Sequence, residues 1–170
     1  AFQERKQELR LVKQLGADTA PAGLFLAMQP IMSLRAPRAS LDFEILVRLA
    51  EADGTVVPGG RIIEAAENNG RVAVIDRWVL ARTLEWLDAQ HAALARTRFV
   101  CMNLSGGSLN DERFVREAFA RLAACPRAAR LLCVEITESV ALHDLANTRR
   151  FIDRLRGLGA RVALDDFGAG

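Results

Sequence analysis

Strand-like and helix-like segments alternate along this chain from about residue 24 to its end, and this alternation restricts the folds open to it. The clearest helix is predicted over residues 72–90, where Ile75, Val79 and Leu87 recur on one face. The run from Leu131 to Ile136 is almost continuously apolar, which is typical of a parallel strand buried on both faces. Repeats of strand and helix in units of about thirty residues indicate an α/β fold with right-handed crossovers.

The remaining segments complete this alternation. Strands are predicted over residues 25–34, 41–50, 98–104, 131–136 and 161–165, and further helices over residues 58–69, 111–124 and 144–158. A turn is predicted at residues 35–40, Asp144 is a candidate helix cap, and Gly70 and Gly159 are candidate helix ends. No glycine-rich phosphate-binding turn follows the first strands, which favours a barrel over an open doubly wound sheet.

The first residues differ from the rest. Residues 2–15 are highly charged with helical spacing of apolar residues, and residues 16–23 carry turn formers. We therefore divide the chain into a helical connector, residues 1–19, and a folded unit, residues 20–170. The charged start lacks the apolar core of a secretory signal, and no apolar run approaches the roughly 18 residues that span a bilayer. These features predict a cytoplasmic fragment of a longer protein, with no membrane segment in this chain.

Charge and cysteine content exclude some classes of function. The net charge is +2 and the arginines are scattered among acids, so duplex nucleic acid is not an expected partner. Cys101, Cys125 and Cys133 form no Cys-x-x-Cys pair and cannot all be paired within one chain, which indicates a reducing compartment. Cys101 and Cys133 lie in apolar strand-like runs and are interpreted as small buried hydrophobic residues.

Oxygen-bearing side chains recur at or near the ends of four predicted strands: Glu44, Asn103, Glu135, and the pair Asp165 and Asp166. Any one of them alone is better explained as a helix cap or a loop residue, but their recurrence on four strands favours a shared site. Strand ends of a (β/α) barrel converge on one mouth, and carboxylate and amide oxygens suit Mg²⁺ or Mn²⁺. Because two successive aspartates can reach two metal ions, the pattern predicts metal-assisted hydrolysis of a phosphodiester.

Alternation within the second strand places Glu44, Leu46 and Arg48 on one face. We therefore expect Glu44 and Arg48 to reach the same ligand. The planar fork of Arg48 suits a phosphate or a guanine edge, although a salt bridge explains it equally well. Gln29, before Pro30, either contacts a base or closes a turn.

Six motifs, in this order and spacing, resemble the EAL domain family over about residues 24–170: Gln29-Pro30-Ile31, Glu44-Ile45-Leu46-Val47-Arg48, Asp76-Arg77-Trp78-Val79, Asn103-Leu104-Ser105, Glu135-Ile136-Thr137-Glu138-Ser139 and Leu164-Asp165-Asp166-Phe167-Gly168-Ala169-Gly170. The resemblance implies a TIM-like barrel, here incomplete with about five of eight strands. It also implies hydrolysis of cyclic di-GMP to linear pGpG in bacterial second-messenger signalling.

Roles for individual residues follow from the resemblance alone. It implies catalytic roles for Glu44, Asp165 and Asp166. It implies that Mg²⁺ or Mn²⁺ is held by Glu44, Asn103, Glu135, Asp165 and Asp166, in a two-metal site of the complete domain. Substrate contacts are implied for Gln29, Leu46 and Arg48, and stabilisation of the 165–170 loop for Glu138. The implied partners are cyclic di-GMP, a second copy in a homodimer, and an upstream GGDEF or sensory domain joined through the connector.

Three differences from the family pattern carry expectations. Ile45 replaces the usual alanine, and alternation points it away from Glu44. Ala169 stands where threonine is commoner. The catalytic lysine and a further glutamate belong to later strands, and an eight-stranded barrel needs roughly 200 residues or more, so we expect these 170 residues alone not to turn over cyclic di-GMP. The alternative is an inactive EAL-type receptor that binds cyclic di-GMP and signals through the connector. An unrelated metal-dependent barrel enzyme is a third interpretation.

Overall fold

The computed structural model describes residues 2–16, 18–32 and 41–165. Their elements, in chain order, are α1 (Phe2–Gly16), β1 (Leu24–Ile31), β2 (Asp42–Ala50), β3 (Val56–Val57), α2 (Gly59–Asn68), α3 (Val72–Ala89), β4 (Val100–Asn103), α4 (Gly106–Leu109), α5 (Glu112–Ala124), α6 (Pro126–Ala129), β5 (Leu132–Thr137), α7 (Glu138–His143), α8 (Leu145–Gly157) and β6 (Arg161–Asp165). The predicted turn at residues 35–40 lies outside the described residues.

One sheet forms the centre of the fold, with strand order β1-β2-β4-β5-β6 and the short β3 paired to the end of β2. The pairs β2–β4, β4–β5 and β5–β6 are parallel and joined through helices, as predicted. β1 and β2 are antiparallel, so the sheet begins with a departure from strict strand-helix alternation. The partial parallel sheet confirms the predicted α/β architecture.

Local sequence accounts for several helix boundaries. Asp111 and Asp144 cap α5 and α8, each accepting a backbone N–H from three residues ahead. Gly70 and Gly159 have φ values of +65° and +94°, the left-handed conformation that the sequence predicted after α2 and α8. The long helix α3 ends one residue before the predicted position.

The hydrophobic core lies between one face of the sheet and the helices. Ile45, Met102 and Val134 point from successive strands into it and are almost fully buried. The connector helix α1 packs against α2 and buries Leu11 and Leu15. Among the described helices, none has the length and apolar character needed to cross a membrane.

Candidate functional site

The face of the sheet opposite the core carries the predicted site residues. Side chains alternate between the two faces of a strand, so residues aligned across neighbouring strands share a face. Ile45 is 4% exposed and lies in the core. Its neighbour Glu44 therefore points to the other face, as the alternation predicted, and the isoleucine in place of alanine is absorbed by the core. We call this second side of the sheet the polar face.

Strand register orders the polar face into rows. The first row aligns Glu44, Cys101, Cys133 and Arg161 on β2, β4, β5 and β6. Two residues further along, Asn103 aligns with Glu135. Another two residues on, Thr137 aligns with Asp165. Rows two residues apart are separated by about 6.6 Å, so carboxylates from three strands lie on one side of the sheet in successive rows, with Glu44 and Asp165 about 13 Å apart along the strand direction.

Glu44 lies nearer to the start of its strand than the sequence suggested. It is the third of nine residues of β2, whereas Asn103 is the last residue of β4 and Glu135 the fourth of six in β5. The reason is that β4 pairs only with the first half of β2, from Phe43 to Ile45. Glu44 thus faces the site from one row below Asn103 and Glu135.

A hydrogen bond joins two of the predicted ligands. The Asn103 amide Nδ2 donates to Glu44 Oε1 at 3.3 Å, across β4 and β2. The pKa of Glu135 is raised above its usual range, first by burial and then by the nearby negative charges of Glu44 and Asp165. The structure therefore brings Glu44, Asn103, Glu135 and Asp165 into one acidic region.

The donor chemistry of this region fits a hard divalent cation. Carboxylate and amide oxygens are the ligands that Mg²⁺ and Mn²⁺ prefer. A bound cation would also reduce the repulsion between Glu135 and the neighbouring carboxylates of Glu44 and Asp165. Across residues 2–16, 18–32 and 41–165, however, no three His, Cys, Asp or Glu side chains are close enough together to hold a metal ion. Asn103 is not one of these types, and Asp166 lies outside the described residues.

The predicted substrate contacts lie beside the acidic region. Gln29 aligns with Glu44 on the neighbouring strand β1. Arg48 is four residues beyond Glu44, about 13 Å along the strand, and its Nη1 donates to the Val47 carbonyl at 3.1 Å. Only an extended ligand can therefore touch both Glu44 and Arg48.

A cavity of about 380 Å³ opens at the end of β2 and β4. Leu46, Arg48 and Asn103 contribute to its lining, together with Gly59 at the start of α2 and Asp76 of α3. The cavity thus brings two of the three predicted substrate contacts, Leu46 and Arg48, to the predicted ligand Asn103.

The buried carboxylate Asp76 was not among the predicted site residues. It is 2% exposed and accepts hydrogen bonds from Ser105 N at 3.0 Å and Ser108 Oγ at 2.6 Å. Burial raises its pKa to about 6. Through its two hydrogen bonds, Asp76 connects α3 to the loop that follows Asn103. The signal in the sequence was an aspartate on the apolar stripe of α3, next to Ile75.

Two further predicted site residues lie at strand ends: Asp165 ends β6, and Glu138 follows β5. Asp165 is the last described residue, and Asp166 and the 166–170 loop lie outside the described range. Glu138 is the first residue of α7, directly after β5, where Thr137 caps the helix by accepting Val140 N at 3.3 Å. Stabilisation of the loop by Glu138 stays a prediction.

The chain matches known proteins over most of its length. A profile of the EAL domain matches residues 17–170. Cyclic di-GMP phosphodiesterase PdeB of Shewanella oneidensis is 32% identical over 147 residues, which is 86% of this chain and 17% of that protein. Cyclic di-GMP phosphodiesterase PdeF of Escherichia coli is 30% identical over 98% of this chain and 22% of its own length. The chain therefore spans about a fifth of these relatives.

The fold also matches a solved structure. The Xanthomonas citri FimX EAL domain in complex with c-diGMP superposes with a TM-score of 0.77 at 24% identity, and the match covers 100% of this chain and 65% of that one. This likeness supports the fold, while the profile match and the 32% identity to PdeB establish the family. The chain belongs to the EAL domain family.

Proposed function

We propose that this chain supplies the cation-binding wall and part of the substrate cavity of a cyclic di-GMP phosphodiesterase that produces linear pGpG. The observation that carries the proposal is the convergence of Glu44, Asn103 and Glu135 from three parallel strands onto one polar face. Relatives named cyclic di-GMP phosphodiesterases share 30% and 32% of their aligned residues with this chain, which supports the same activity here.

The residues that would hold Mg²⁺ or Mn²⁺ are Glu44, Asn103, Glu135 and Asp165, and Asp166 would be a ligand of a second ion. When bound, such ions polarise the phosphodiester and lower the pKa of a water molecule. The chain's own contribution is placement: the Asn103 amide orients Glu44 Oε1, and burial beside other carboxylates raises the pKa of Glu135, an effect that a bound cation would offset.

The substrate would lie across the polar face and extend into the cavity at the end of β2. A cyclic dinucleotide is long enough to contact Gln29 near Glu44 at one end and Arg48 at the other. Arg48 offers a planar fork that matches a phosphate or the edge of guanine. Leu46 lies between Glu44 and Arg48 on the same face and would pack against the ligand.

The experiment measures cation binding and turnover separately. We expect Mn²⁺ to raise the melting temperature of the wild-type chain, and Glu44→Gln to abolish most of this shift. Glu85→Gln is the matched control, because Glu85 lies on the outer surface of α3 and pairs with Arg82. Conversion of cyclic di-GMP to pGpG is measured separately, by chromatography, with a protein that also contains the later strands of the barrel. A wild-type chain that gains no stability from Mn²⁺ or Mg²⁺ contradicts the proposal.

A receptor that binds cyclic di-GMP without cleaving it is the second candidate. The observation that favours it is the packing of the connector helix α1 against α2, the helix that begins beside Arg48. Ligand contact at Arg48 could then be transmitted to an upstream GGDEF or sensory domain. The receptor predicts a thermal shift with cyclic di-GMP, no pGpG, and a ligand affinity that Glu44→Gln leaves within a factor of about three.

A further inference from the structure

Two thiols occupy the centre of the polar face. Cys101 on β4 and Cys133 on β5 are aligned partners in the parallel register, so both side chains point to the same side of the sheet. Aligned residues on neighbouring strands have Cα atoms about 4.8 Å apart, and disulfides form at Cα separations of roughly 4.4–6.8 Å. The Cα separation of the two residues therefore falls within the range that a disulfide spans.

The position of these thiols differs from that of structural core cysteines. Both are buried, with exposures of 4% and 7%, as the sequence predicted, but neither belongs to the hydrophobic core that the adjacent residues Met102 and Val134 join. Instead they lie in a polar row, between Glu44 on one side and the exposed Arg161 on the other. Both flanking residues are more exposed than the thiols, so this row is the side from which a small polar reagent would reach them.

We propose that Cys101 and Cys133 form an oxidisable dithiol, a modification site that a hydroperoxide converts into an intrachain disulfide. A hydroperoxide first oxidises one thiol to a sulfenic acid and leaves as the alcohol, or as water when the oxidant is hydrogen peroxide. The second thiol then attacks the sulfenic sulfur, the S–S bond forms, and water leaves. Two thiols and one hydroperoxide thus give one disulfide, one alcohol and one water, and a dithiol reductant reverses the change.

The consequence for the cation site rests on the proposed function. Cys101 and Cys133 are each two residues before Asn103 and Glu135, on the same face of the same strands. A disulfide between neighbouring parallel strands must rotate both side chains out of their reduced arrangement. We therefore expect oxidation to displace Asn103 and Glu135 relative to Glu44 and to weaken Mn²⁺ binding by about tenfold.

The test begins with the wild-type chain and hydrogen peroxide. Trypsin cuts after Arg98, Arg113, Arg130 and Arg149, so Cys101 and Cys133 fall on separate peptides and Cys125 on a third. The expected result is a linked pair of the first two peptides, about 2 Da lighter than their sum, that dithiothreitol separates. Cys125, which has no aligned cysteine partner, is expected to stay outside this linkage.

Cysteine variants distinguish a disulfide between Cys101 and Cys133 from unselective oxidation of the cysteines. Cys101→Ala and Cys133→Ala should each abolish the linked peptide, whereas Cys125→Ala should leave it unchanged. A wild-type chain that yields only sulfinic or sulfonic acid at Cys101 and Cys133, or a disulfide through Cys125, overturns the proposal.

Mn²⁺ binding is then compared before and after oxidation. Weaker binding that dithiothreitol restores in the wild type, and no change in Cys133→Ala, supports the effect on the cation site. Linked peptides with unchanged Mn²⁺ affinity overturn that effect and leave the dithiol standing. If the reduced chain binds no Mn²⁺, the proposed function fails instead, and the peptide result still decides the dithiol.

Discussion

Asn103 donates its side-chain amide to Glu44 Oε1 at 3.3 Å, so two of the predicted cation ligands are bonded to each other across β4 and β2. The bond fixes the orientation of the Glu44 carboxylate in the absence of a cation. It also places a neutral group next to an acidic residue, in a region where Glu135 already feels the charges of Glu44 and Asp165. Asn103 therefore limits charge repulsion while it keeps an oxygen available.

Asn103→Asp tests this balance. The substitution removes the donor and adds a negative charge beside Glu44, so we expect the free energy of unfolding without cations to fall by about 1 kcal/mol. We also expect Mn²⁺ to stabilise the variant more than the wild type, because an added carboxylate strengthens cation binding. Thermal unfolding with and without Mn²⁺ measures both effects. Asn147→Asp on α8 serves as the control, and a smaller Mn²⁺ shift in Asn103→Asp than in wild type would contradict the interpretation.

Asp42 fixes the register that places Glu44. Its carboxylate is 3% exposed and accepts the backbone N–H groups of Arg98 at 3.0 Å and Phe99 at 3.4 Å, as well as the Arg98 guanidinium at 2.8 Å. We expect Asp42→Ala to lower the free energy of unfolding by about 3 kcal/mol, because it leaves buried donors without an acceptor.

Arg98→Ala is the comparison for Asp42. It should cost only about 1 kcal/mol, since Arg98 is 60% exposed and its removal leaves both backbone bonds to Asp42 intact. Urea denaturation of the two variants gives the ranking. Equal losses in the two variants would show that the ion pair, not the backbone bonds, stabilises the β2–β4 junction.

Gly59 and Gly60 offer a matched pair at the start of α2. A Cβ atom on Gly59 would lie 2.7 Å from the Val47 carbonyl oxygen and 3.5 Å from Arg48 Nη1, whereas one on Gly60 meets nothing within 4 Å. We expect Gly59→Ala to lower the free energy of unfolding by about 2 kcal/mol and to weaken ligand binding at Arg48. Gly60→Ala should raise the free energy of unfolding by about 0.5 kcal/mol, because alanine is the better helix former. Urea denaturation of both variants measures these changes. A Gly59→Ala chain that is as stable as the Gly60→Ala chain would contradict the prediction.

Much of the fold could be predicted because its signals are local. Periodicity located α3 and α5, and Asp144 and Gly159 located the two ends of α8. The two-residue strand β3 was missed because it is defined only by pairing with the end of β2. The short helices α4 and α7 were missed because four and six residues are too few to show a helical period.

In the candidate site, too, local features were predictable and those that depend on strand pairing were not. Alternation in β2 was sufficient to place Glu44 and Arg48 on one face and Ile45 in the core. The row that each ligand occupies was not predictable, since it depends on the register that Asp42 sets with the residues before β4. The alignment of Cys101 with Cys133 has the same origin, because residues that are far apart in sequence become neighbours only through strand register.

Asp76 makes the stability of the fold depend on pH. Its pKa is raised from 3.8 to about 6 by burial, so between these values the folded protein binds a proton that the unfolded chain does not. The free energy of unfolding should therefore rise as the pH falls through about 6, by at most about 3 kcal/mol from this residue. Asp76→Asn should flatten this rise, while it keeps an oxygen that can accept from Ser105 N and Ser108 Oγ.

Ser108→Ala tests the same carboxylate through its partner. The variant removes the 2.6 Å hydrogen bond to Asp76, which matters most when the carboxylate is ionised. We expect a loss of about 2 kcal/mol at pH 8 and a clearly smaller loss at pH 5, where Asp76 is protonated. Ser139→Ala, at an exposed position on α7, should change little at either pH. Urea denaturation at both pH values measures the difference, and an equal loss for Ser108→Ala at pH 5 and pH 8 would mean that Asp76 does not titrate in this range. The loop after Asn103 would then be held by a carboxylate that stays charged.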